Sequence, residues 1–145
     1  MLRAVVPEVN VERHAAIMEY GALLTQAKAF AMHVLQGCRN WPETPQRAIL
    51  CDKLLQAGLG VGANLRRLRR PATDGDWTAA IQAGLADLDE ARYWMELAIE
   101  SAAADRGAMT RLLDEARQLS RLFEGVLQKG AARKKERGPY LIYVG

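Results

Sequence analysis

Basic side chains are concentrated around residue 68 of this sequence. Four arginines flank Leu68 within residues 66–70, and the next acidic residues along the chain are Asp74 and Asp76. Guanidinium groups stay protonated and match phosphate oxygens in a bidentate geometry. Two carboxylates cannot neutralise four such groups, so this segment predicts a phosphate-binding surface.

A second basic run occupies residues 129–137, where Glu136 is the one acidic residue. Cations near the end of a helix can also simply complement its carbonyl dipoles, and this alternative stays open. No base-reading motif is present, so the predicted binding depends on charge and shape. The candidate nucleic-acid-binding residues of the two basic runs are Arg66, Arg67, Arg69, Arg70, Lys129, Arg133, Lys134, Lys135 and Arg137.

Small and polar residues precede the first run. Gly58, Gly60 and Gly62 each cost about 1 kcal/mol of helix stability relative to alanine. We expect them to admit a neighbouring helix or subunit, the alternative being a nucleic-acid or ligand backbone. Asn64 falls on an apolar stripe, where an amide without partners costs about 1–3 kcal/mol. It is therefore predicted to be a polar core residue bonded to a neighbouring helix, with Tyr93 as a possible partner.

Catalytic and metal-binding patterns are weak in this sequence. A di-metal site in a helical bundle needs Glu-x-x-His pairs, and neither His14 nor His33 belongs to one. Cys38 and Cys51 are expected to be small buried thiols, although His33 could approach one of them as a base. We predict no catalytic residue, no metal, no cofactor and no enzymatic activity.

In the segments that carry these residues, apolar positions recur at alternating intervals of three and four residues. This pattern occurs in four stretches, at 17–38, 50–68, 77–98 and 109–126, which predict four amphipathic helices. Pro42, Pro71 and Gly107 separate the stretches, Gly130 is a candidate end of the fourth, and Thr73 begins a capping box.

Short connections predict an all-α, antiparallel, up-down-up-down four-helix bundle. In that arrangement the second and fourth helices end at the same pole. The two basic runs would then converge in space and raise the local potential far above that of the whole chain.

Composition agrees with one globular domain. The chain has 145 residues, a formal net charge of +3, 50% hydrophobic residues and 26% charged residues. No apolar run reaches the roughly 20 residues that a membrane span needs, and residues 1–10 lack a signal-peptide core. We expect a cytoplasmic protein with no membrane partner.

Residues 1–10 are predicted to form an extension, 11–130 the bundle, and 131–145 a basic and then apolar tail.

The apolar end of that tail is a candidate partner-binding segment. A short β-prone segment can add a strand to the sheet of a partner. The alternatives are that it is disordered or folds back on the bundle. The candidate partner-binding residues are Tyr140, Leu141, Ile142 and Tyr143.

Several of these stretches resemble the four-helix-bundle family first described from proteins encoded in 23S rRNA intervening sequences. The resemblance also extends to the accessory variability proteins of diversity-generating retroelements. It covers roughly residues 48–127. The segments that carry it are LCDKLL at 50–55, GVGAN at 60–64, Trp77 and EARYWMEL at 90–97.

The resemblance implies a ring-shaped homo-oligomer, typically a pentamer, without known enzymatic activity. It also implies binding to nucleic acid and to a reverse transcriptase. The sequence departs from the family at two positions, with Gly60 where serine is usual and Arg67 where an acidic residue is usual. The second change makes the patch around residue 68 wholly basic.

Taken together, the sequence predicts a non-enzymatic accessory protein that binds structured RNA or DNA through its basic pole. A reverse transcriptase of a diversity-generating retroelement is the enzyme that it would assist. The alternative is a protein-interaction scaffold that recruits a partner through its C-terminal tail.

Overall fold

Four helices and one short strand pair make up the described part of the chain. The computed structural model describes residues 7–68, 72–137 and 141–142, and the side chains of residues 14–68 and 72–132. The elements in chain order are α1 (Pro7–Cys38), α2 (Pro45–Arg66), β1 (Ala72–Thr73), α3 (Asp74–Glu100), α4 (Arg106–Arg137) and β2 (Leu141–Ile142).

The four helices pack together around one hydrophobic core. α1 and α3 each pack against both α2 and α4. The predicted apolar stripe of α3, from Trp77 to Ala98, is buried at every position, and so is that of α4 from Met109 to Val126. The prediction of an all-helical body with four amphipathic helices is confirmed. Within the described ranges, no helix combines the length and the hydropathy that crossing a bilayer requires.

The start of α3 is fixed by the predicted capping box. The backbone N–H of Asp76 donates to Thr73 Oγ1 at 3.0 Å, and the backbone N–H of Thr73 donates to Asp76 Oδ2 at 2.9 Å. α2 begins in a related way, because the backbone N–H of Arg47 donates to Thr44 Oγ1 at 3.1 Å. Each threonine satisfies a backbone donor that lacks a partner within its helix.

Two helices are longer than the sequence pattern indicated. α1 begins at Pro7, inside the predicted extension, and α4 runs through Gly130 to Arg137, inside the predicted tail. The predicted helix end at Gly130 is wrong. A glycine in a helix interior costs only about 1 kcal/mol, and Gly130 is buried within α4.

The contact between α1 and α2 depends on two glycines of α2. A Cβ atom at Gly58 would lie 3.0 Å from Val34 Cγ2, and one at Gly62 would lie 3.4 Å from Ala27 Cβ. Both glycines therefore face α1, one helical turn apart. The predicted close approach of a neighbouring helix is confirmed.

Two further glycines serve the packing of α3. A Cβ atom at Gly60 would lie 2.6 Å from Asp87 Oδ2, so this glycine leaves room for a carboxylate of α3 against α2. Gly84 of α3 leaves room for an aromatic ring of α4, because a Cβ atom there would lie 2.7 Å from Phe123 Cε2. At both positions an alanine would require the facing side chain to shift.

The strand pair joins two distant parts of the chain. β1 and β2 are antiparallel, with Ala72 opposite Ile142 and Thr73 opposite Leu141. This pairing was not predicted. It connects the segment after α2 to the segment after α4.

Replacing Gly84 by alanine should destabilise the protein. The added Cβ would overlap the ring of Phe123, which is fully buried, and overpacking of this kind typically costs about 1–3 kcal/mol. The free energy of unfolding from urea denaturation measures the effect. The matched control is Gly125→Ala in α4, where no atom lies within 4 Å of the added Cβ. That variant should gain up to about 1 kcal/mol of stability. Equal effects of the two substitutions would contradict the packing described for Gly84.

Candidate functional site

The first basic run lies at the C-terminal end of α2. Arg66 is the last residue of α2 and Arg67 is its C-cap, and both side chains are exposed. Arg69 and Arg70 lie outside the described residues. For this run, the structure therefore defines the positions of two guanidinium groups.

The second basic run lies along the last turns of α4. Lys129 has a described side chain, whereas the structure gives only the backbone course at the remaining basic positions. Those positions, all within the helix, are Arg133, Lys134, Lys135 and Arg137. The second run is thus helical to its last residue.

Arg67 belongs to a polar cluster between α2 and α3. Its Nη1 donates to Asn64 Oδ1 at 2.9 Å, and Asn64 Nδ2 donates to Asp87 Oδ2 at 2.6 Å. Asn64 is half-buried and its partner on the neighbouring helix is Asp87. Tyr93 is exposed and packs edge-on against Trp94 instead. The cluster gives Arg67 an acidic neighbour that the local sequence does not reveal.

Asp87 has a perturbed pKa in this cluster. Burial against α2 raises the pKa of its carboxyl group. The hydrogen bond from Asn64 and the positive charge of Arg67 act in the opposite direction, and the negative charge of Glu90 acts in the same direction as burial. The guanidinium group of Arg67 therefore interacts with an acidic group of its own chain, which leaves it less available to an external anion.

Lys129 also has an acidic neighbour. Its Nζ lies 3.3 Å from Glu19 Oε1, which links α4 to α1. Arg66, by contrast, lines a groove between α1 and α2 together with Lys28. Of the three basic side chains that the structure describes in the predicted set, Arg66 is the one that borders an open groove.

Asp74 and Asp76, the first acidic residues after the first run in the sequence, have other roles. Asp76 caps α3, as described above. Asp74 is buried and accepts a hydrogen bond from Tyr20 Oη at 3.2 Å, and the Tyr20 ring stacks on that of Trp77 with 4.3 Å between centroids. This contact between α1 and the first turn of α3 was missed, although both aromatic residues lie on predicted stripes.

The apolar end of the tail is only partly described. Leu141 and Ile142 pair with β1 of the same chain, so a strand from a partner would have to compete with this pairing. Tyr140 and Tyr143 lie outside the described residues.

The two thiols lie together at the loop between α1 and α2. Both are buried and reduced, and Cys51 Sγ donates to the backbone oxygen of Cys38 at 3.9 Å. Burial, together with the proximity of Cys51, raises the pKa of Cys38 to about 12. A thiol with this pKa stays protonated at neutral pH and is a poor nucleophile.

His33 does not contact either thiol through a described hydrogen bond. Its Nδ1 lies 2.8 Å from Glu115 Oε1 on α4, and both residues line an open cavity of about 420 Å³ between α1 and α4. The sequence hypothesis of a thiol beside an imidazole base therefore has no support from this geometry.

Replacing Arg67 by alanine should raise the pKa of Asp87 further, because a nearby positive charge is removed. An NMR titration of the Asp87 carboxyl carbon measures the pKa in both proteins. Arg66→Ala is the matched control and should leave that pKa unchanged. A wild-type Asp87 pKa at or below its ordinary value would contradict the described burial.

The same shift predicts a pH dependence of stability. Since the pKa of Asp87 is higher in the folded than in the unfolded protein, its contribution to stability is present below the unfolded pKa and lost as pH rises through the folded pKa. Asp87→Asn removes this titration. The unfolding free energy of the wild type relative to this variant should therefore fall across that pH range.

The comparisons with known proteins concern the fold alone. No protein-family model and no curated protein matches the sequence. The fold is similar to that of a crystal structure described as a protein with unknown function from the S23 ribosomal protein family of Bacteroides thetaiotaomicron VPI-5482. The alignment has a TM-score of 0.67 and 17% sequence identity, and it covers 77% of this chain and 96% of that chain. At this identity the two proteins share a fold, which by itself implies no shared activity.

Proposed function

We propose that this protein is a non-enzymatic accessory protein of the cytoplasm that binds structured RNA or DNA through a basic pole. The pole is formed by residues 66–70 at the end of α2 and residues 129–137 at the end of α4. Arginine and lysine contacts to phosphates supply affinity without reading the base sequence.

The strand pair is the observation that carries this proposal. The segment 66–70 leads into β1, and α4 ends at Arg137 just before β2. Because neighbouring strands lie about 4.7–4.9 Å apart and each basic run comes shortly before one of the paired strands, the pairing of β1 with β2 supports a convergence of the two runs. A converged cluster would attract polyanions far more strongly than the net charge of +3 suggests.

An antiparallel, up-down-up-down arrangement of the helices is part of the proposal. Contacts between α1 and α4 support it, since Glu19 meets Lys129 and His33 meets Glu115. Residue numbers thus rise along α1 as they fall along α4. Residue numbers along α1 also fall as those along α2 rise, since Gly58 lies against Val34 and Gly62 against Ala27. In such a bundle the C-terminal ends of α2 and α4 lie at one pole.

The assembly and the assisted enzyme rest on the sequence resemblance. Likeness to the 23S rRNA intervening-sequence family and the accessory variability proteins favours a ring-shaped homo-oligomer, a pentamer, and a reverse transcriptase as the enzyme assisted. The fold shared with a protein from the S23 ribosomal protein family is consistent with this assignment. A ring would place several basic poles side by side and so increase the avidity for a long polyanion.

Changing Arg66, Arg67, Arg69 and Arg70 together to alanine should abolish tight binding at moderate salt. Fluorescence anisotropy of a labelled structured RNA and of a DNA duplex, at several salt concentrations, measures the affinity. For the duplex, the slope of log affinity against log salt should shrink by about 0.9 for each phosphate that the variant no longer neutralises.

A control with the same change of net charge separates the pole from general electrostatics. Arg39, Arg106, Arg111 and Arg117 are exposed arginines near the end of α1 and on the first turns of α4. Their fourfold alanine variant should retain most of the affinity and most of the salt slope. Retained binding by the variant at residues 66–70, with its helical content intact, would overturn the proposal.

The two described arginines should not contribute equally. Arg66→Ala should weaken binding more than Arg67→Ala, because Arg67 is held by Asn64 beside Asp87 whereas Arg66 borders an open groove. Anisotropy at a single moderate salt concentration compares the two variants. A greater loss of affinity from Arg67→Ala would show that its bond to Asn64 does not withhold it from phosphates.

A further inference from the structure

A second stripe, of mainly apolar residues with Thr25 and Lys28 among them, runs along the outside of α1. It keeps the alternation of three and four residues used by the core stripe, but its members are exposed or half-buried. Met18 and Met32 are 63% and 48% exposed. The described members of this outer stripe are Met18, Gly21, Thr25, Lys28, Met32 and Leu35.

α2 presents a matching stripe beside it, formed by Leu55, Leu59, Gly62 and Arg66. Between the two stripes lies a groove with two cavities of about 520 and 180 Å³. Small residues such as Ala31 and Ala63 line it. Among the described residues, the charged side chains that line it are Lys28 and Arg66, both basic. We name this surface the α1–α2 groove.

A complementary surface lies on the outside of α3. Its stripe also follows the three-four alternation, and half of its members are alanines, with the ring of Tyr93 standing out at 54% exposure. Three acidic residues, Asp89, Glu96 and Glu100, lie along one side of the stripe. We name this surface the α3 ridge, and its stripe consists of Ala79, Ala83, Ala86, Glu90, Tyr93 and Leu97.

We propose that the α1–α2 groove of one copy of this chain receives the α3 ridge of a second copy. The groove is mostly apolar and carries two basic residues, Lys28 and Arg66, whereas the ridge carries Glu90 and has acidic residues along one side, so the charges of the two surfaces are complementary. Equal spacing of the outer stripes lets the three helices interdigitate as in a coiled coil. Met32, an exposed methionine that lines the groove, can adapt to the large ring of Tyr93.

The contact is heterologous, because the groove and the ridge are different surfaces of the chain. Repeating such a contact builds a closed ring or an open filament. The contact would be the interface of the homo-oligomer proposed above, and this inference rests on that part of the proposed function. Nucleic-acid binding is separable from it, since only Arg66 belongs to both sets of residues.

A charge exchange between the two surfaces tests the contact. The groove variant is Lys28→Glu with Met32→Glu, and the ridge variant is Glu90→Lys with Glu100→Lys. Each variant alone brings like charges together, so sedimentation velocity should show self-association at least about 10-fold weaker than in the wild type. An equimolar mixture should recover association into dimers and larger species, because each altered groove then meets an altered ridge of opposite charge. A closed ring of five would still contain one junction between two copies of the same variant, so formation of dimers and larger species, rather than ring closure, is the readout.

A control variant with Asp114→Lys and Arg117→Glu, an exposed ion pair of α4, should keep the wild-type association. If the groove and ridge variants associate like the wild type, the contact is wrong while the oligomer stands. If both weaken but the mixture does not recover, the proposed pairing is also wrong. A wild type that is monomeric at all concentrations overturns the oligomer and the contact together. Anisotropy with RNA then decides the nucleic-acid proposal separately, because the groove and ridge variants keep all four arginines of residues 66–70.

Discussion

The close approach of α2 to α1 on one side and to α3 on the other is the contact on which the rest of the bundle depends. Alternating glycines make it possible, since Gly58 and Gly62 face α1 while Gly60 faces α3. A side chain at Gly60 would displace Asp87 from α2. Without that carboxylate, Asn64 and Arg67 would lose the acid around which the end of α2 is organised.

Local patterns were enough to predict the helices and the start of α3. The stripes and the Thr73 capping box are periodic or adjacent in sequence, so each is readable without knowledge of the fold. The environment of Arg67 was not readable, because its acidic neighbour lies on the next helix and only the rotation of α2 brings the two together. The strand pair was also missed, since two-residue strands carry no alternation.

Basic and acidic residues are concentrated on different elements of the described structure. The last turns of α4 carry basic residues and α2 ends at Arg66 with Arg67 as its C-cap, whereas acidic residues lie along the outside of α3. A polyanion approaching the pole and a second protomer approaching the side would therefore meet different surfaces. This separation would let assembly and nucleic-acid binding proceed without competing for the same side chains, Arg66 excepted.

The strand pair has a consequence for the order of folding. β1 precedes α3, but its partner β2 follows α4, so this pairing cannot form until all four helices have been synthesised. Closing so long a loop is slow compared with forming helix contacts. β1 should therefore be the last part of the described bundle to become protected from hydrogen exchange during synthesis.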